Sequence, residues 1–347
     1  MKISMPQIVG NESLRNRLRD DVLGGTLSHA YLIEGRAGSG KHTVALLLAA
    51  ALACESKSLE GVALPCGECP SCRKILGGKS PDIITIGRED RATLGVETAR
   101  QIREDVYTMP NDLDFKLYII EDAHTMTPQA QNALLLTLEE PPSFVRFLLL
   151  CENTQTVLET IKSRAPILRT EPIAPEKIAE HLCHTDLAAR SLRDSAPTEW
   201  QEILLAADGC IGRAKRLLDP KVRKPTIARR HLAQEYLDAT LTNRDRATRM
   251  IAFCNAAGNK RDEVNELLLT VQTAIRDLLL LKKSETAPLL FYTDRDEAIA
   301  LSDRIGAANL LRMYENCEEA RCAIAIRNAN TRLTLMELAL RSGMIRS

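Results

Sequence analysis

Four short apolar runs mark the first half of the chain: Tyr31-Leu-Ile-Glu34, Ile83-Ile-Thr-Ile86, Leu117-Tyr-Ile-Ile120 and Phe147-Leu-Leu-Leu-Cys151, each bounded by polar or turn residues. Uninterrupted runs of this length suit strands covered on both faces, as in a parallel sheet. Stretches of helical period lie between them, at about 41–53, 96–108, 128–140 and 156–162. The alternation predicts a parallel α/β layer. The 128–140 stretch is well delimited: Thr127 suits the N-cap and Pro128 the first helical position. Ala130, Ala133, Leu134, Thr137 and Leu138 form one stripe, and Pro141-Pro142 ends it.

Strand signals fade after Pro172. Residues 173–219 read as a small helical bundle with a break at Ala206-Ala-Asp-Gly209, and 223–347 read as helix with turns near Ala257-Gly-Asn259 and Glu285-Thr-Ala-Pro288. There is neither an internal repeat nor a low-complexity linker, so three compact units are expected: 1–172, 173–222 and 223–347.

Composition changes this picture little. Aromatics make up 3% of the 347 residues, which favours helix over an all-β design. The 46 basic and 46 acidic residues cancel, so nucleic-acid contact would need local charge or a larger assembly. The start, MKISMPQIVGNESL, has no apolar core of the kind a secretory signal needs. The longest apolar run, Val44 to Cys54, is about half a membrane span. A cytoplasmic protein without membrane contact is expected.

Three groups carry candidate chemistry. The first is Gly35-Arg-Ala-Gly38-Ser-Gly40-Lys41, a phosphate loop placed between a strand and a helix. Its glycines let backbone N–H groups approach phosphates, and Lys41 supplies charge. The next residue is His42, where the motif needs a hydroxyl for Mg²⁺; Thr43 comes one position late, turned by about 100°. ATP with Mg²⁺ is therefore a candidate cofactor whose metal would be poorly placed. The second group, Glu121-Asp122 at the end of an apolar strand, stands where acids hold Mg²⁺ and orient water, with the order Glu-Asp rather than Asp-Glu. Further on, Glu152 follows the fourth run, and Ser163-Arg164-Ala165 closes a helix. Arg164 either faces solvent or serves as an arginine finger for a neighbouring subunit.

The third group is Cys54, Cys66, Cys69 and Cys72, with CGECPSC as its core. Four thiolates at these spacings close a tetrahedral Zn²⁺ site with no open position, so a structural metal is expected. The remaining six cysteines read as ordinary buried thiols of a reducing compartment. His181 and His184, either side of Cys183, read as surface histidines.

These residues resemble the bacterial clamp-loader subunits of DNA polymerase III, within the AAA+ class. The resemblance is carried by Leu27-Ser-His-Ala-Tyr-Leu32, the four-Cys insert, Asn132-Ala-Leu-Leu-Leu-Thr-Leu-Glu-Glu-Pro-Pro142 and Ser163-Arg164. It spans about residues 5–220; beyond that the chain agrees only in being helical. It implies a RecA-like AAA+ domain with a zinc knuckle (1–172, knuckle 54–72), a three-helix lid (173–222) and an all-α collar (223–347). The implied partners are delta and gamma/tau subunits in a hetero-pentamer, a sliding clamp, and primer-template DNA met through its phosphates. Arg164 would be the trans arginine finger, and Arg213, in Gly209-Cys-Ile-Gly-Arg213, the lid arginine beside the nucleotide. Arg88, Arg91, Thr93 and Arg100 resemble the helix start where relatives meet template phosphates. The gap from Cys54 to Cys66 exceeds the family's usual one, implying an extra loop at Glu55–Leu64.

His42, Asp122 and Glu152 depart from a working ATPase, and there is no long proline-rich extension. Together these favour the delta-prime type, which lends its finger and hydrolyses little. The alternatives are a gamma/tau-type motor and a stand-alone zinc-stabilised nucleotide-binding regulator.

Overall fold

The computed structural model describes residues 5, 8–56, 63–87, 93–241, 245–287, 289–292, 294–325 and 327–343. The chain divides into two compact units, Met1–Ile173 with Cys210–Arg213, and Ala174–Gly209 with Ala214–Ser347.

The first unit runs α1 (Glu12–Gly24), β1 (Ala30–Glu34), α2 (Lys41–Leu52), α3 (Pro70–Leu76), β2 (Ile83–Ile86), α4 (Val96–Asp105), β3 (Lys116–Ile120), α5 (Pro128–Glu139), β4 (Val145–Cys151), α6 (Glu159–Lys162) and β5 (Ile167–Arg169). All five strands are parallel, in the order β2-β3-β4-β1-β5. Alternation across the pleat separates two cores. Tyr31, Ile33, Leu117, Ile119, Leu148 and Leu150 pack with α2 and Ile75 of α3. Leu32, Tyr118, Ile120, Phe147 and Leu149 pack with Ala99, Ile102, Leu134 and Leu138 from α4 and α5. The four predicted strands are present, β2 with the same bounds and the other three lengthened by a residue or two. Thr127 caps α5 as expected, accepting from the Ala130 N–H at 3.2 Å.

Three elements were not anticipated: α1, α3 and β5. Two helices are shorter than their periodicity suggested. α4 stops at Asp105, and α6 starts only at Glu159, after a 3₁₀ turn at Thr154–Thr156. The reason for the late start is buried Gln131, whose Oε1 accepts from the Leu158 N–H at 2.8 Å. Its amide also donates to the Met126 and Thr156 carbonyls.

The described elements of the second unit are helices: α7 (Pro175–Thr185), α8 (Leu187–Ser195), α9 (Pro197–Ala206), the later part of α10 (Ile211–Leu217), α11 (Pro220–Leu241), α12 (Arg246–Ala256), α13 (Arg261–Leu281), α14 (Arg295–Asp303), α15 (Ala307–Ala325) and α16 (Thr331–Gly343). Its core is built on Tyr236, Phe253, Leu268, Ile275, Leu310 and Leu335. No helix among the described residues is long and apolar enough to cross a membrane.

Candidate functional site

β1 ends at Glu34, and the chain turns through Gly35–Gly40 into α2. Gly38 and Gly40 adopt left-handed φ of 78° and 90°, which lets successive N–H groups converge at a helix start. Gly38 also needs its bare Cα, since a Cβ would lie 2.9 Å from the Arg213 backbone N. That contact belongs to the Cys210–Arg213 segment, which packs on the loop and donates the Gly212 N–H to the Gly38 carbonyl at 3.0 Å. The structure thus sets the Arg213 backbone against the loop. Thr43 is exposed.

The Lys41 ammonium folds back onto the loop, donating to the Gly35 carbonyl at 2.6 Å and the Arg36 carbonyl at 3.0 Å. Burial pushes it below its ordinary value, while Glu152, Cys151 and Asp122 act in the opposite direction. Glu34 anchors the approach to the loop: it accepts from the Thr154 N–H and hydroxyl and from Arg169 Nε at 2.8 Å. Burial raises its carboxyl, but these donors outweigh burial and hold it below the ordinary range. A cavity of about 220 Å³ lies against Gly35, Arg36, Ser39, Glu152 and Thr170.

Across from the loop, His42 meets the first acid of the Glu121-Asp122 pair. His42 Nδ1 lies 2.5 Å from Glu121 Oε1, both side chains about 40% exposed. Asp122, in a left-handed conformation, stands close to His124 and Glu152. Donor atoms of these three lie within 4.8 Å of one another and could hold a cation. The Glu152 N–H also donates to His124 Nδ1 at 3.4 Å. The sequence reading had not singled out His124.

Arg164 sits just after α6 and is half-buried. Its guanidinium pairs with Glu139 of α5 at 2.6 Å and donates to the Thr160 carbonyl at 3.0 Å. Glu139 belongs to the Leu138-Glu-Glu-Pro-Pro142 string, so that string directly supports the arginine. Of the residues resembling a DNA-phosphate contact, Thr93 and Arg100 are exposed near the start of α4, and Arg100 faces Glu97 at 3.6 Å. Arg88 and Arg91 lie outside the described residues.

The four cysteines converge. Their Sγ atoms lie within 4.8 Å of one another. Cys54 follows α2, and Cys69 caps α3, its sulfur accepting from the Cys72 N–H at 3.4 Å. The Cys66 sulfur accepts from the Cys69 N–H at 3.4 Å and stands 3.9 Å from Cys72 Sγ. Zn–S bonds of about 2.3 Å put tetrahedral sulfurs about 3.8 Å apart, so the donor set fits zinc. The Cys69 N–H, then that of Glu68, bring the Cys66 thiol down to about 6, whereas burial pushes Cys54 and Cys72 up. Residues 57–62 of the expected extra loop lie outside the described residues.

Residues 10–174 match the family model described as DNA polymerase III, delta subunit. The chain is 35% identical over 219 residues to the DNA polymerase III subunit tau of Escherichia coli, covering 62% of this chain and 32% of that protein. It is 37% identical over 167 residues to the subunit delta′ of Bacillus subtilis, covering 48% of this chain and 49% of that protein. The matched stretch thus spans at most about half of either relative. A solved gamma subunit-related protein of Thermotoga maritima aligns over 96% of this chain and 99% of its own, with 18% identity and a TM-score of 0.44. Over residues 10–174 the chain is thus similar to the delta, delta′ and tau subunits of DNA polymerase III.

Proposed function

We propose that the chain is a delta-prime-type subunit of the clamp loader: it helps load a sliding clamp onto primed DNA and lends Arg164 to a neighbour's nucleotide, but has little ATPase activity of its own. The observation that carries this reading is the contact between His42 and Glu121. Hydrolysis by phosphate-loop enzymes needs a metal held by a hydroxyl and an acid, and a water oriented by a carboxylate or amide. Here the hydroxyl is replaced by an imidazole, the acid is engaged by that imidazole, and Asp122 lies beside a second acid, Glu152. On this reading residues 1–172 form the nucleotide-fold domain, 173–222 a lid and 223–347 a collar that meets delta and gamma/tau partners. Cys54, Cys66, Cys69 and Cys72 hold a structural Zn²⁺, and Thr93 and Arg100 approach DNA phosphates.

The gamma/tau-type motor is the second reading, favoured by the unbroken Gly35–Lys41 loop and its left-handed glycines. ATP turnover decides between them. The isolated chain should hydrolyse ATP negligibly, and His42→Thr alone should not restore it, because Asp122 remains misplaced. Turnover in the range of ordinary AAA+ motors would remove the delta-prime reading and promote the motor.

A further inference from the structure

We infer that the phosphate loop of this chain binds a nucleoside diphosphate without a divalent cation, the His42–Glu121 pair filling the place where such loops assemble one. The inference rests on the reading of the loop as a degenerate nucleotide site, and it specifies that site's ligand. Metal in a phosphate loop is held from two protein positions, the residue after the loop lysine and the acid at the end of the facing strand. In this chain they are His42 and Glu121, far apart in sequence and 2.5 Å apart in space.

That distance leaves no room for an ion. Mg²⁺ holds octahedral oxygens at about 2.0–2.1 Å, so neighbouring ligands around it stand about 2.9 Å apart with the ion between them. At 2.5 Å the imidazole N–H donates directly to the carboxylate. The chemistry agrees, since Mg²⁺ demands oxygen and position 42 offers nitrogen. One substitution alone would damage the site. The two together form a closed contact that does by hydrogen bonding what the ion does by coordination: it ties the start of α2 to the end of β3.

What remains for an anion is the cradle of loop N–H groups at Gly38 and Gly40 and the Lys41 ammonium, which now rests on the Gly35 and Arg36 carbonyls. The same surroundings select the number of phosphates. Glu152 lines the same cavity as Gly35, Arg36 and Ser39, and a carboxylate oxygen of Asp122 lies within 4.8 Å of one of Glu152. With no cation at the His42–Glu121 pair to neutralise a terminal phosphate, these acids oppose a third phosphate more than a second. A diphosphate is the better match.

The test is calorimetric titration of the full chain with ADP and with ATP, each in excess Mg²⁺ and in EDTA. ADP affinity should agree within about twofold between the two buffers and should exceed that of ATP. In the double variant His42→Thr/Glu121→Asp, Mg²⁺ should strengthen ADP binding by about tenfold or more. ADP binding by the wild-type chain that requires Mg²⁺ would overturn the inference, as would no ADP binding in either buffer or tighter binding of ATP. The wild-type titrations decide alone if the double variant misfolds. Any of those failures leaves the delta-prime reading standing, because that reading falls only to ATP turnover by the isolated chain.

Discussion

Asp82 offers a sharp test of how the first unit is held together. Its side chain is fully buried just before β2 and accepts three backbone N–H bonds: Asn111 at 2.7 Å, Asp112 at 2.7 Å and Leu113 at 2.8 Å. This one carboxylate fixes the turn that leads into β3. Asp112 of that turn in turn pairs with Lys74 on α3, 2.7 Å away, so the cysteine module leans on the same anchor. Hydrogen bonds to a charged group contribute about 1.5–3 kcal/mol each, giving a gross figure of roughly 4.5–9 kcal/mol. Asn111 and Asp112 are exposed residues, so water replaces part of this when the carboxylate is removed. Asp82→Ala should therefore cost about 3 kcal/mol. Asp82→Asn keeps an oxygen for two of the three donors and turns an N–H against the third, so about half that loss is expected.

Urea denaturation followed by far-UV circular dichroism measures both variants. Fluorescence of Trp200, the chain's one tryptophan, separately reports the second unit. Burial raises the Asp82 carboxyl, but the three N–H donors outweigh burial and leave it below its ordinary value. A depressed folded value means the stabilisation is complete above the unfolded value of about 3.9 and is lost as pH falls through the lower folded one. The gap between wild type and Asp82→Asn should thus stay level from about pH 5 to 8 and narrow below about pH 4. Wild-type stability in Asp82→Ala, or a gap that ignores acid, would refute the reasoning.

Protein purified without chelator should carry about one equivalent of zinc, and Cys69→Ser should lose the metal and melt earlier; unchanged melting in that variant would remove the structural role. Arg164→Ala should fold and assemble normally, because its ion pair with Glu139 is exposed enough to contribute under about 1 kcal/mol. In pentamers rebuilt with that variant, DNA- and clamp-stimulated ATP turnover should fall by less than the roughly 10³-fold seen for fingers in simple GTPases, since other sites keep theirs; unchanged turnover would make Arg164 a surface residue. Gly38→Ala should disturb the loop more than Gly40→Ala. Both pay for positive φ, about 1 kcal/mol each, but only at Gly38 does the new carbon meet backbone, at Arg213. Equal thermal shifts for the two variants would contradict this.

The sheet was legible because four of its strands carry short, nearly unbroken apolar runs, a pattern that needs no partner to be recognised. β5 was not, since three residues are too few to show a period. α3 was hidden by its own cysteines: Cys69 reads as a ligand, yet it is also the cap that starts the helix. At the candidate site the residues could be named, but the contacts between them were out of reach. His42 read as a defect and Glu121 as the first acid of a reversed pair, and only the approach of α2 to the end of β3 brings them together. Likewise Glu139 and Arg164 were read from separate strings. Asp82 and Gln131 gave no local signal, because their partners are backbone groups that only the folded chain assembles.

The strand order also governs how the chain comes together in time. β1 is synthesised early, yet it pairs Ala30 with Phe147 and Leu32 with Ile167. Until residues near 151 are available, its apolar Tyr31-Leu-Ile33 segment has no neighbouring strand to bind. The whole cysteine module and two further strands are made in the interval. A growing chain must therefore carry an unpaired, aggregation-prone strand through most of the unit's synthesis, and refolding must close these long loops before the sheet returns any stability. The second unit, built of helices with neighbours close in sequence, faces no such delay.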